Sequence, residues 1–164
     1  MSQLSYRVFG ALKKVGVKSA ASHVELYGER VETQPKRILV VDDFAAWRSF
    51  LHTLLVVTPE WQVTGEAATG ADALTKAKEL QPDLVLLDLD LPDISGIDVA
   101  RQLQIIVPNA KIVFLSAESS SPIVNAALST GALGYLLKSQ LVAELLPALK
   151  TVFSGERFIG KGIV

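Results

Sequence analysis

The chain has 164 residues, 49% hydrophobic and 20% charged, with 16 basic and 17 acidic side chains and a formal net charge of −1. This allows one ordinary globular domain plus some extra chain, and no basic surplus points to direct nucleic-acid binding. The absence of cysteine excludes disulfides, thiolate metal sites and cysteine nucleophiles, and His23 and His52 make no metal-ligand pattern.

Residues 1–35 read as an extension and linker. Leu4, Val8, Leu12 and Val15 follow a helical spacing, and Gly28 to Pro35 reads as a linker. Two readings stay open for this part: a partly disordered tail, or a helix that docks on its own domain or on a partner. Arg7, Lys13, Lys14 and Lys18 break up the apolar residues before a signal-peptide core can form. No run approaches ~20 uninterrupted apolar residues, so the expectation is a cytoplasmic protein without a membrane span.

From Lys36 strand and helix alternate, and residues 36–155 are expected to form the main domain. Residues 37–42 read as a strand that ends in Asp42-Asp43. A helix follows over 45–57, with Trp47, Phe50, Leu51, Leu54 and Leu55 at a 3-4 spacing. Trp61 to Ala67 is a shorter strand whose Gln62, Thr64 and Glu66 suit a sheet edge. Thr69-Gly70 opens a helix through Leu80, and Pro82 prevents its continuation. Asp83-Leu84-Val85-Leu86-Leu87-Asp88 is apolar, of strand length and bounded by Pro82 and Pro92, the pattern of a fully buried parallel strand. Ser95 suits the N-cap of a helix to about Val107. Residues 111–115 form a fourth strand ending in Ser116-Ala117, and a helix over 121–130 stops at Gly131. Residues 133–137 form a fifth strand ending in Lys138. The last helix runs from Ser139 or Gln140 to about Phe153. Its apolar face of Leu141, Val142, Leu145, Leu146, Leu149, Val152 and Phe153 is mostly core, with a margin suited to a dimer. Residues 156–164 read as a tail or the start of a linker.

Five βα units imply an α/β fold, a doubly wound parallel sheet of flavodoxin-like order 2-1-3-4-5. Such sheets place ligands at the carboxyl ends of their strands. There Asp42, Asp43 and Asp88 would crowd one crevice, with Ser116 and Lys138 from neighbouring strands. Clustered carboxylates resist ionisation unless a cation is present, and oxygen-only ligands suit Mg²⁺, Mn²⁺ or Ca²⁺. A carboxylate so placed can attack phosphorus, while a lysine and a hydroxyl serve the phosphoryl oxygens.

The set Asp42-Asp43, Asp88 followed by Leu91-Pro92 and Gly96, Ser116-Ala117, and Tyr135 three before Lys138 resembles the receiver domain of bacterial two-component response regulators. The resemblance covers about residues 36–155. It implies that Asp88 is the phosphoacceptor, and that Asp43 and Asp88 bind Mg²⁺ (Mn²⁺ being an alternative) with the backbone carbonyl of Asp90, while Asp42 reaches the ion through water. It implies that Lys138 pairs with Asp88 and later with the phosphoryl group, that Ser116 swings inward to the phosphoryl oxygen, and that Tyr135 follows into the vacated space. The implied partners are a sensor histidine kinase or a histidine phosphotransfer protein, with a homodimer as one form of output. Its chemistry would be limited to self-phosphorylation from a donor and slow autodephosphorylation. Ser139 stands where many receivers have proline. Asp90 and Glu118 fall two residues beyond Asp88 and Ser116, at positions that in the family tune phosphoryl lifetime.

Val152 to Ile159 resembles the linker after the receiver in NarL/FixJ-like, LuxR-type transcription regulators. Those continue into a helix-turn-helix domain, and this sequence stops at Val164 before one. Two other functions compete. Asp88-Leu89-Asp90 matches the nucleophile motif of haloacid-dehalogenase-type phosphatases, although that motif belongs on the first strand of its sheet. A receiver-like module that binds partners without phosphorylation is the other. A nucleotide-binding flavodoxin-like protein would need glycines where Asp42 and Asp43 stand.

Overall fold

The computed structural model describes the backbone of residues 23–26 and 29–32, and residues 34–163 in full. The helix expected over Leu4 to Val15 lies outside the described residues. Within the expected extension and linker, β1 (His23–Leu26) and β2 (Glu29–Glu32) pair antiparallel, with Val24 opposite Val31.

The alternation then runs β3 (Lys36–Val41), α1 (Ala45–Leu55), β4 (Trp61–Ala67), α2 (Gly70–Leu80), β5 (Leu84–Asp88), α3 (Gly96–Ile106), β6 (Lys111–Ser116), α4 (Ser121–Leu128) and β7 (Gly134–Leu137). A 3-10 turn over Lys138–Gln140 leads into α5 (Leu141–Phe153), and β8 (Phe158–Ile159) follows. Six strands form one parallel sheet in the order β4-β3-β5-β6-β7-β8. The five βα strands keep the expected 2-1-3-4-5 order. The sixth was not expected: residues 156–164 read as a tail, yet Phe158 and Ile159 pair with Gly134 and Tyr135.

The sheet divides the core by strand alternation. Leu39, Val41, Val85, Leu87, Phe114 and Tyr135 face the side covered by α2, α3 and α4. Ile38, Val40, Leu84, Leu86, Val113 and Leu115 face α1 and α5. All five residues of β5 are buried, and each fully buried aliphatic side chain contributes about 1.5–3 kcal/mol. The strand ends are therefore anchored by the middle of the molecule.

Helix ends follow local chemistry. Thr69 and Ser95 accept the backbone N–H groups of Asp72 and Asp98, capping α2 and α3. After α4, Gly131 adopts φ +94° and turns the chain toward β7. Helices α1 and α4 stop at Leu55 and Leu128, two residues before the expected ends. Beyond α1, Val56 and Val57 are exposed and gain no burial by continuing the helix.

Candidate functional site

Two strand ends bring three acids together above the middle of the sheet. Asp42 follows β3 directly and is buried, Asp88 closes β5 and is buried, and Asp43 is exposed beside them. One carboxylate oxygen from each lies within 4.8 Å of the others. The buried strands leave these acids little freedom to separate.

The loops are fixed by bonds that hold backbone rather than reacting atoms. Asp42 Oδ1 accepts the N–H of Phe44 at 2.9 Å. Arg48, one turn into α1, donates through Nη1 to the carbonyls of Asp42 (2.8 Å) and Asp43 (3.3 Å), while its Nε reaches Glu66 Oε2 at 3.1 Å. In the loop after β5, the Asp93 carboxylate accepts the N–H groups of Gly70 (2.7 Å) and Ala71 (2.9 Å) at the start of α2. Those bonds, from Ala71 first and then Gly70, hold its pKa below the usual carboxylate range. Gly96 donates to the Leu89 carbonyl at 2.8 Å. A Cβ at Gly96 would strike the Asp88 carbonyl oxygen and come within 2.8 Å of Leu89 Cα. Only glycine lets α3 begin this close to the acid-bearing strand.

Lys138 arrives from the end of β7. Its Nζ lies 2.7 Å from Asp42 Oδ2 and 3.1 Å from Asp88 Oδ2. The lysine side chain is 15% exposed, against 1% and 5% for the two acids. The same ammonium sits 5.4 Å from the ring centre of Trp47 on α1, within cation–π range. Burial pushes the Asp88 pKa up, and the Asp42 charge adds to it; Lys138 opposes both without cancelling them. Burial also works against the charge on Lys138, but Asp42 and Asp88 outweigh it and its pKa is raised.

At the end of β6, Ser116 Oγ accepts the N–H of Glu118 at 3.0 Å. Tyr135 is fully buried and donates its hydroxyl to the Glu118 carbonyl at 2.8 Å. Burial raises the Tyr135 pKa, so it remains a donor at neutral pH. The aromatic ring already occupies an inward position while Ser116 is tied to the start of the loop. Asp90 is exposed; its N–H lies 3.4 Å from Asp88 Oδ1.

The expected residues Asp42, Asp43, Asp88 and Lys138 are thus brought together, with Ser116 and Tyr135 on the adjoining strands. The donor set suits a hard divalent cation, because it consists only of carboxylate oxygens and one ammonium does not balance three acids. The Asp90 carboxylate is outside this three-acid group; the role expected of that residue concerns its backbone carbonyl. Reasoning from sequence missed Arg48 and Asp93. A helical arginine usually reads as a solvated charge, and Asp93 acts on amides more than twenty residues upstream.

The model of the response regulator receiver domain matches residues 38–150. The response regulator GacA of Pseudomonas viridiflava is 37% identical over 127 residues, which cover 77% of this chain and 59% of GacA. The chain therefore spans less than two thirds of that relative. The chemotaxis protein CheY of Thermotoga maritima is 37% identical over 117 residues, covering 71% of this chain and 97% of CheY. Among solved structures, a two-component response regulator of the LuxR family from Aurantimonas sp. SI85-9A1 superimposes with a TM-score of 0.75 at 32% identity, covering 79% of this chain and 92% of that one. The CheX–CheY–BeF3–Mg²⁺ complex of Borrelia burgdorferi gives a TM-score of 0.69 at 26% identity, covering 73% of this chain and 90% of the other.

Proposed function

The chain belongs to the response regulator receiver domain family, and we propose that Asp88 is its phosphoacceptor, with Lys138, Ser116, Asp42 and Asp43 completing the reactive site. As a receiver it is a regulatory module of two-component signalling rather than a conventional enzyme. The observation that carries the site assignment is the Lys138 ammonium bridging Asp42 and Asp88 beside a third carboxylate.

An Asp88 carboxylate oxygen attacks phosphorus on a phosphohistidine of a sensor kinase or phosphotransfer protein. The new O–P bond forms as the N–P bond breaks, and the electron pair returns to the imidazole nitrogen. Lys138 transfers its contact from the Asp88 carboxylate to a phosphoryl oxygen. Ser116, whose oxygen already accepts the Glu118 N–H, has its hydroxyl proton left to donate to another phosphoryl oxygen. Asp43 and Asp88 would hold Mg²⁺ together with the Asp90 carbonyl, and Asp42 would reach it through water; the ion supplies positive charge against the clustered acids and the phosphoryl oxygens. Slow attack of water on phosphorus restores the carboxylate and releases phosphate. Once Ser116 turns to the phosphoryl group, the Ser116–Glu118–Tyr135 contacts rearrange, and the surface of α4, β7 and α5 changes for a partner or a second copy.

The phosphatase alternative is not favoured. Its motif belongs on the first strand of its sheet but here closes β5, the third strand of the βα alternation, and Asp90, the acid it needs, is exposed. Incubation with Mg²⁺ and acetyl phosphate, followed by intact mass, tests the assignment. One phosphoryl adduct per chain, absent from Asp88→Asn, is the expected result. Steady turnover of phosphate esters, or an adduct that survives in Asp88→Asn, refutes it.

A further inference from the structure

The segment from Glu156 to Ile163 takes no part in the chemistry above, yet it is built onto the fold with care. Phe158 donates its N–H to the Leu133 carbonyl at 2.9 Å, and Gly160 donates to the Tyr135 carbonyl at 2.8 Å. The next residue changes partner: the Lys161 N–H faces both carboxylate oxygens of Glu144, at 3.1 and 3.3 Å. Glu144 lies on α5 and is 6% exposed, an uncommon place for an acid unless it has a structural bond to make. A Cβ at Gly160 would come within 2.6 Å of Glu144 Oε2 and 3.3 Å of the Tyr135 carbonyl. The two ends grip opposite faces of the sheet. Phe158 packs with the α1–α5 core, and Ile163 packs with the core that contains Tyr135.

Consecutive residues of this segment are thus bonded to two different elements, β7 at Gly160 and α5 at Lys161. Lys138 and the 3-10 turn are the joint between those elements. When Lys138 leaves Asp88 for a phosphoryl oxygen, that joint is pulled, and a clasp bonded to β7 at one residue and to α5 at the next cannot follow both sides. We infer that residues 156–163 form a strap over the β7 edge that is clasped by Glu144 while Asp88 is unmodified and let go when it carries a phosphoryl group. This rests on the receiver reading above. It gives the β7 edge beside α5 an occupant from its own chain, removed by the same event that alters this surface.

The test is hydrogen exchange at the amides of Phe158, Gly160 and Lys161, with tryptic cleavage after the exposed Arg157, in the full chain with and without Mg²⁺ and beryllofluoride. Binding of the phosphoryl mimic is followed separately by its ¹⁹F signal. The expected result is an increase of about tenfold or more in exchange and cleavage at the strap, with core amides of β3 unchanged. Glu144→Ala and Gly160→Ala should loosen the strap without the mimic, while acetyl phosphate labels Asp88 within about twofold of the wild-type rate. Bound beryllofluoride with an unmoved strap overturns the inference and leaves the receiver reading intact. Folded protein that binds no beryllofluoride overturns both. Should Glu144→Ala fail to fold, Gly160→Ala decides alone, and wild-type strap protection in it refutes the clasp.

Discussion

Replacing Lys138 with methionine removes the one ammonium shared by Asp42 and Asp88 while keeping an unbranched side chain of similar length. Both acids are nearly inaccessible, and the lysine itself is mostly covered. Removing one partner of a buried ion pair costs about 3–5 kcal/mol, because the other partner stays behind uncompensated. For a chain of this size each kcal/mol moves the melting temperature by about 2–4 °C, so Lys138→Met should melt about 10 °C lower in EDTA at pH 7. A cation would restore much of this. At a hundredfold excess over its Kd, a ligand that binds only the folded state adds about 2.7 kcal/mol. The gain should be larger in Lys138→Met than in wild type, because no ammonium competes for the same oxygens. Calorimetry of both proteins across a Mg²⁺ titration measures this. Equal melting temperatures in EDTA, or a smaller Mg²⁺ response in the variant, would refute the view that one lysine balances the acid cluster.

In metal-free buffer, Asp88→Asn should melt higher than wild type at neutral pH. The fold raises the Asp88 pKa, so the ionised form costs stability at neutral pH, and that cost is relieved as pH falls through the raised pKa toward 3.8. The advantage of Asn should therefore shrink over that window; an advantage that grows in acid contradicts the sign. Trp47 should report the site, because the ammonium 5.4 Å from its ring moves when a phosphoryl mimic binds. Its emission should change with Mg²⁺ and beryllofluoride, and Trp47→Phe should be silent, since Trp61 is buried against Phe153 at the far ends of the strands. Gly96→Ala should destabilise by about 2–3 kcal/mol through its clash with the Asp88 and Leu89 backbone, read as a lower urea midpoint. The double variant Asp90→Asn, Glu118→Ala should alter the half-life of the acyl phosphate, and an unchanged decay rate would remove these two acids from any part in setting it.

Much of the architecture was legible because parallel strands covered on both faces leave unbroken apolar runs. Leu84 to Leu87 and Ile38 to Val41 could hardly be anything else, and the acids that end them stand out against the runs. The smaller devices were not legible, because each depends on a bond between segments distant in the chain. Asp93 is one loop acid among several until α2 is seen to begin above it. Glu144 interrupts an apolar helix face, and its purpose appears only when Lys161 returns to it. Strand β8 has two residues, too few to show any period, and pairs only because β7 offers a free edge. The receiver resemblance marks Tyr135 as a candidate, but its inward, hydrogen-bonded placement follows from the Glu118 carbonyl.

The fastenings are distributed unequally about the reactive carboxylate. On the side of β3 and β4, Arg48 ties two carbonyls and Glu66 together, and Asp93 pins the loop after β5 to α2. On the side of β6 and β7, a serine and a tyrosine make one bond each and a lysine two, all through rotatable side chains. One half of the molecule is an anvil and the other a lever. Damage to the anvil should slow the chemistry and weaken the fold together, whereas damage to the lever at Tyr135, which touches no reacting group, should leave a domain that still takes its phosphoryl group and no longer tells anyone.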